Sequence, residues 1–177
     1  MKTKLIISSL FISSVLMSTA HAADGQVKFT GKITATACKV DSNSANQTVN
    51  MGTISSSSFK GANSTSAPTR FSIKLTDCPS EYNQAQVKFD GQTDKINSRF
   101  LALTGNNEGG AAQGVALALY EDDSNTVINI AENSQYQKLI KGQKTNTLNF
   151  VAKYIATSNT VVPGSGDSVA NFTITYN

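Results

Sequence analysis

The sequence of 177 residues predicts an all-β sandwich. Two observations support this prediction: short runs of alternating apolar and polar residues recur along the chain, and polar turns rich in Ser, Asn and Gly separate them. The expected strands are residues 26–36, 47–51, 70–76, 86–90, 101–103, 114–120, 127–130, 137–140, 147–156 and 168–177. The run at 114–120 is apolar on both faces, so we expect that strand to lie centrally in its sheet.

Residues 1–22 have the features of a secretory signal peptide. Lys2 and Lys4 form a basic start, an apolar run follows, and Ala20-His21-Ala22 fits a small-residue cleavage site. The apolar run is short for a membrane span, which makes a retained membrane anchor the weaker alternative. Cleavage leaves 155 residues, which suit a single domain with a sizeable core. We therefore expect an exported protein with no membrane insertion.

The charge and composition argue against several classes of function. Without the leader, 13 basic and 12 acidic residues remain, and a net charge of +1 gives no electrostatic reason to bind nucleic acid. His21 is the one histidine and lies in the leader, so a Ser-His-Asp arrangement is excluded. The acidic run Glu121-Asp122-Asp123 is more typical of a solvated turn than of a cation site or a carboxylate pair. We expect neither an enzyme nor a cofactor.

Cys38 and Cys78 are the two cysteines of the chain. In an exported protein a disulfide between them is the expected state, because the compartment is oxidising. Such a bond would close a loop of about 40 residues, which the chain-entropy model values at about 4 kcal/mol. Two free thiols are the alternative, and a metal site is weaker still because no histidine accompanies the pair.

The segment 23–37, here called the N-terminal arm, shows the strictest alternation. Its polar face carries lysines and threonines, and its other face carries Val27, Phe29, Gly31, Ile33 and Ala35. A glycine inside a strand marks a bulge or a close backbone approach. The alternation continues through Gly31, so we expect this residue to sit over a shallow or occupied part of whatever the arm packs against.

The chain closes on another strongly alternating run, 168–177. Its inward-facing residues are expected to be Ala170, Phe172, Ile174 and Tyr176. In an immunoglobulin-like sandwich a further strand normally covers such an edge. A core that lacks one strand leaves an apolar groove, and an alternating strand of matching register can fill it.

In these features the chain resembles the pilin subunits of chaperone–usher pili, and among them the type 1 fimbrial group. The resemblance covers the whole chain and rests on the order and spacing of its motifs, together with the leader and the cysteine pair. The motifs are Val-Lys-Phe-Thr-Gly-Lys-Ile ahead of Cys38, Val49-Asn-Met-Gly52, Phe71-Ser-Ile-Lys-Leu-Thr-Asp-Cys78, Phe150-Val-Ala-Lys-Tyr-Ile-Ala156 and Ala170-Asn-Phe-Thr-Ile-Thr-Tyr-Asn177.

The resemblance implies an incomplete immunoglobulin-like sandwich, the pilin fold, over residues 38–177. This fold lacks its final strand and is completed by donor-strand complementation. The arm would be the donor strand, and the strand from Ala170 to Tyr176 would form one edge of the groove. Implied partners are identical or homologous pilin subunits, a periplasmic chaperone and an outer-membrane usher. The Asn177 carboxylate would anchor basic residues of the chaperone, and the product would reach the cell surface as part of a fimbrium.

Several hypotheses therefore compete at this stage. The first is a structural polymer subunit, in the shaft rather than in a minor tip or adaptor position. The second is a glycan-binding fimbrial subunit, although the chain has no tryptophan to form a sugar platform. The third is an ordinary complete sandwich in which the arm pairs within its own domain, so that deletion of residues 23–36 would unfold the protein.

Overall fold

The computed structural model describes residues 24–34, 36–105 and 110–177. Several sequence-based predictions lie wholly or partly outside the described residues. They are the leader 1–22, Ala23 and Ala35 of the arm, and the turn Gly105-Asn106-Asn107 that the sequence predicts after the strand at 101–103. Residues 34–177 form one compact unit, and the described residues that precede it, 24–33, belong to a second unit. No helix or strand is assigned to residues 24–34, so the strand expected there stays a prediction.

The compact unit is built almost entirely of β-strands. Its elements are β1 (Lys39–Val40), α1 (Ser42–Ala45), a 3₁₀ helix (Ser56–Ser58), β2 (Thr69–Thr76), β3 (Gln84–Asp90), β4 (Val115–Glu121), β5 (Val127–Ile128), β6 (Gln137–Lys138), β7 (Thr145–Ala156) and β8 (Asn171–Tyr176). The strands form two sheets whose pairs are all antiparallel. The predicted all-β class is confirmed. Among the described residues, no helix is long and apolar enough to cross a membrane.

The larger sheet has the strand order β1-β2-β7-β4-β5. Strands β2 and β7 pair along the whole of β2, from Thr69 opposite Ala152 to Thr76 opposite Thr145. Strand β4 lies between β7 and β5, and every residue of β4 except the partly exposed Leu117 is buried. The predicted central position of this strand is confirmed, because neighbours on both edges and packing on both faces leave no side exposed to water.

The smaller sheet has the strand order β6-β3-β8. Strand β8 pairs with β3 from Tyr176 opposite Ala85 to Asn171 opposite Asp90. Its apolar side chains are half-buried and alternate with exposed polar ones, as the period of two predicted. Strand β8 is therefore an edge strand whose apolar face is only partly covered.

The two sheets meet through a cluster of three phenylalanines. Phe71 and Phe150 lie side by side in the larger sheet, and Phe89 comes from the smaller one. The Phe89 ring contacts Phe150 edge-on at a centroid distance of 5.2 Å and Phe71 at 6.1 Å, a geometry that aromatic quadrupoles favour. A second apolar cluster, which includes Phe100, Tyr120 and Val151, is separate from this one.

Two of the expected strands are not formed. Residues 47–51 carry no strand, and 101–103 are reduced to isolated bridges from Leu101 to Thr93 and to Leu117. The prediction at 47–51 is wrong for a physical reason. A strand requires a hydrogen-bonded neighbour, and none of the described residues pairs with this segment.

The acidic run departs from the prediction at one residue. Asp122 and Asp123 lie in an exposed turn, where Asp123 accepts the backbone N–H groups of Asn125 and Thr126. Glu121 is instead buried, with 6 % of its surface exposed. Its Oε1 accepts the backbone N–H of Gln135 at 2.6 Å. The carboxyl therefore fixes the end of β4 to the segment that precedes β6.

Burial raises the pKa of Glu121 above its ordinary value of 4.5, the Gln135 hydrogen bond opposes this shift, and the nearby Asp123 charge adds to it. The folded state therefore holds this proton more tightly than the unfolded state, and stability falls as pH rises from about 4.5 through the raised pKa. Glu121→Gln removes the titration while keeping an oxygen acceptor. In urea titrations we expect the difference in unfolding free energy, variant minus unaltered protein, to increase as pH rises through that window. A pH-independent difference would contradict this.

Candidate functional site

The compact unit carries an open groove with a volume of about 900 Å³. Its walls are the segments 44–52 and 166–172, and its floor comes from both sheets. The apolar floor residues are Phe71, Ile73, Leu117, Leu119 and Ala152 from the larger sheet and Phe89 from the smaller. The core of the sandwich is therefore open along one side.

One wall of the groove is the outer edge of β8. This strand is hydrogen-bonded to β3 on one side, and no other described strand pairs with it. Ala170 and Phe172 line the groove, and Ile174 and Tyr176 continue the same half-buried row. The structure thus places Ala170 and Phe172 of the predicted inward face at the groove. An edge strand of this kind presents a row of unpaired N–H and C=O groups.

The opposite wall also has an unpaired backbone. From Gln47 to Ile54, no backbone group is hydrogen-bonded to another backbone group among the described residues. The Gly52 N–H donates to the side chain of Asn50, a contact within the segment itself. The groove is therefore flanked by unpaired backbone on both sides, which is the arrangement that an added β-strand requires.

A tyrosine closes one end of the groove. The Tyr154 hydroxyl donates to the carbonyl of Gly166 at 2.8 Å, and a Cβ placed on Gly166 would lie 2.5 Å from that hydroxyl oxygen. Only glycine allows so close an approach. Burial raises the pKa of the Tyr154 phenol, and the Asp167 carboxylate raises it further. The phenol therefore stays neutral, and its hydrogen bond to the Gly166 carbonyl persists at neutral pH.

The cysteine pair stabilises the region beside the groove. Cys38 and Cys78 form a disulfide, as predicted, and thereby join the start of β1 to the end of β2. The flanking ion pair between Lys39 and Asp77 is 2.9 Å long, but both side chains are mostly exposed, so it contributes little. The disulfide therefore supplies most of the constraint at this end of the sandwich.

The arm carries the predicted apolar row at its surface. The side chains of Val27, Phe29 and Ile33 are 76 %, 91 % and 101 % exposed. Three large apolar side chains so exposed are unusual in a soluble protein and mark an interaction site. Apart from its two chain neighbours, no described residue has an atom within 4 Å of a Cβ built on Gly31, so the described residues do not explain a glycine there.

The C-terminal residue is held at the end of the smaller sheet. A backbone oxygen of Asn177 accepts the N–H groups of Asn83 and Gln84 at 2.8 and 3.1 Å, and the Asn177 N–H donates to the Gln84 carbonyl. The chain end is thereby fixed next to Tyr176. Its predicted role as an anchor for a partner is not tested by these contacts.

Sequence reasoning missed one wall of the groove. Val49 and Met51 line it without belonging to a strand, and their alternation led to the wrong prediction of a paired strand. The floor residues Leu117, Leu119 and Ala152 lie in the runs 114–120 and 147–156, for which the sequence predicted strands but no groove. Within the described ranges, no group of three or more His, Cys, Asp or Glu residues could hold a metal ion.

Comparisons with known proteins agree with this geometry. The model of the family described as "Fimbrial protein" matches residues 27–177. The chain is 32 % identical to long polar fimbria protein A of Salmonella typhimurium, across 99 % of the chain and 96 % of that protein. It is 34 % identical to a probable major fimbrial subunit of Escherichia coli O157:H7, with the same two shares covered.

A solved structure is similar in fold as well as in sequence. A Burkholderia pseudomallei antigen and type I fimbria protein superimposes with a TM-score of 0.58 and is 36 % identical, covering 81 % of this chain and 91 % of that one. The family match spans most of the chain, and the sheets, disulfide and open groove fit the pilin fold. The chain therefore belongs to the fimbrial protein family and is a structural subunit of a surface fimbria.

Proposed function

We propose that this subunit polymerises by donor-strand exchange, in which the N-terminal arm of one copy fills the groove of the next. Val27, Phe29, Gly31, Ile33 and Ala35 would face the groove floor as the missing strand of the sandwich. The observation that carries the proposal is the match between the two parts. One is an apolar groove flanked by unpaired backbone, and the other is an arm with an exposed apolar row.

Burial energies favour a long-lived contact. Full burial of an aliphatic or aromatic side chain contributes about 1.5–3 kcal/mol, and the arm offers Val27, Phe29 and Ile33. Backbone pairing on both sides of the inserted strand adds hydrogen bonds worth roughly 1 kcal/mol each net. The cost of ordering the arm offsets part of this gain. A one-residue slip would turn lysines and threonines toward the floor, so the register is held tightly.

Gly31 has a specific role in this arrangement. Because no described residue beyond its chain neighbours crowds Gly31, we propose that the steric demand comes from the acceptor groove. There the floor is shallow or already filled by side chains of the acceptor. A glycine lets the arm backbone approach the floor closely at that point.

Replacement of Gly31 by isoleucine tests this role. The branched side chain would strike the acceptor floor, so we expect far fewer filaments, measured as SDS-resistant multimers, with no change in the folding of the donor subunit. Thr30→Ile is the matched control, because it adds a branched side chain on the polar face of the same arm. Equal filament yields from both variants would show that Gly31 does not face the floor.

We further propose that a periplasmic chaperone occupies the groove before assembly and that an outer-membrane usher catalyses the exchange. An unfilled groove leaves apolar residues such as Phe71, Leu117 and Phe172 partly exposed, and such surfaces promote aggregation. The carboxylate of Asn177 lies at the end of the edge strand and offers a negative charge to a basic chaperone residue. In the fimbria we assign the subunit to the shaft, in line with the major subunit it is similar to.

A gel of fimbriae sheared from expressing cells tests polymerisation directly. We expect a ladder of multiples of one subunit in unboiled SDS samples, which collapses to a single band on boiling. The ladder reflects grooves locked by inserted strands, and boiling releases them. A monomer band in both lanes, from cells that also express the chaperone and usher, would rule out a groove-locked polymer.

A further inference from the structure

Tyr82 binds the residues from which the arm emerges. Its hydroxyl oxygen lies 2.7 Å from the Thr36 carbonyl oxygen and 2.8 Å from the Thr34 Oγ1, and these two oxygens are 3.0 Å apart. The three oxygens thus form a closed cluster in which two hydroxyl groups hold one backbone carbonyl. We call Thr34 and Thr36 the arm root.

The same tyrosine is fixed from its other side. Its ring is 8 % exposed and stacks on the ring of Tyr176 at a centroid distance of 4.9 Å and an interplanar angle of 22°. The next residues, Asn83 and Gln84, hold a backbone oxygen of Asn177 through their N–H groups. One short segment, 82–84, therefore binds both the arm root and the end of β8.

We propose that Tyr82 is a positioning residue that fixes the arm root to the end of β8 and thereby stiffens the joint between consecutive subunits. This inference rests on the proposed donor-strand function. Thr34 belongs to the compact unit, whereas Phe29 and Ile33 lie outside it. When the arm is a strand in a neighbouring subunit, the arm root is the covalent link between the two bodies, and its rigidity sets how far they can bend.

The contacts of Tyr82 separate positioning from folding. The ring packs in the core, whereas the hydroxyl contacts the arm root. The contacts with Thr36 and Thr34 link residues 46 and 48 positions apart in the sequence. Tyr82→Phe keeps the ring and its stack on Tyr176 while removing the hydroxyl that contacts both oxygens of the arm root. Tyr136→Phe is a matched control, since Tyr136 is an exposed tyrosine that is not among the residues lining the groove.

The first measurement is the backbone order of the mature subunit in solution by ¹⁵N relaxation. In the unaltered protein we expect the Thr36 amide to have an order parameter of about 0.85, the value of rigid backbone. In Tyr82→Phe we expect this order parameter to fall toward the range of flexible backbone, below about 0.6. Residues of β8 should keep their order, and Tyr136→Phe should change neither. An unchanged order parameter of the Thr36 amide in Tyr82→Phe would overturn the anchoring role of Tyr82. If Tyr82→Phe folds poorly, Thr34→Val removes one of the two hydroxyl groups that hold the Thr36 carbonyl, and the Thr36 order parameter should then fall by a smaller amount.

The second measurement is the bending of assembled filaments in negative-stain micrographs. We expect Tyr82→Phe to form the same SDS-resistant ladder as the unaltered protein but to give filaments of shorter persistence length. Equal persistence lengths of Tyr82→Phe and unaltered filaments would show that Tyr82 does not stiffen the joint between subunits, even if the order parameter of Thr36 had fallen. If the unaltered protein gave no ladder, the donor-strand proposal would fail, whereas the relaxation experiment would still decide whether Tyr82 anchors the root.

Discussion

Phe29→Asp or Ile33→Asp in the arm is expected to abolish filament assembly. Both side chains are exposed in the subunit, so neither change should affect its folding. On insertion, each would carry a charged carboxylate into an apolar groove, and an unpaired charge is strongly disfavoured there. The measurement is the SDS-resistant ladder from cells that also express the chaperone and usher, compared with the amount of chaperone-bound subunit, which should be unchanged.

Thr30→Asp is the matched control for these variants. It makes the same change in charge on the polar face of the arm, where Thr30 is exposed. We expect filaments from this variant and none from the other two. If Phe29→Asp and Ile33→Asp both still form filaments, the arm is not the donor strand.

Removal of the disulfide is expected to cause the largest loss of stability. The bond joins residues 40 apart in sequence, and the chain-entropy model assigns it about 4 kcal/mol. In the double variant Cys38→Ala/Cys78→Ala, the start of β1 would be free to separate from β2. We expect a loss of that order in the unfolding free energy of the mature subunit, measured by urea titration followed by circular dichroism.

Chemical reduction provides the control for this double variant. Dithiothreitol should destabilise the unaltered protein by a similar amount and should have no further effect on the alanine variant. An alanine variant as stable as the oxidised protein would mean that the local contacts, not the crosslink, hold β1 on β2.

Strands that pair within the chain were predictable from sequence. The period-two runs at 70–76 and 147–156 predicted β2 and β7 closely, because each has one face against a core that the chain itself supplies. The run at 47–51 shows the limit of this approach. Its alternation is real and its apolar residues face the groove, yet the strand is absent because the neighbour it would pair with is not supplied by the described part of this chain.

The features that sequence did not predict depend on distant or single contacts. Tyr82 sits in a turn after Pro79, where no periodicity indicates a direction, and its partners are more than 40 residues away. Glu121 was grouped with the acidic turn because composition alone does not distinguish the last residue of a buried strand from the first residue of a turn. Its burial follows from its place at the end of β4.

The two unpaired edges that flank the groove also determine how a lone subunit behaves. Each edge is a template for any extended chain, including a misfolded copy of the same protein. In a solitary subunit, insertion of a suitable strand into the groove therefore competes with aggregation. The outcome depends on how quickly a suitable strand arrives, so raising the expression of the subunit without its assembly partners is expected to yield insoluble material and not a reservoir of usable monomers.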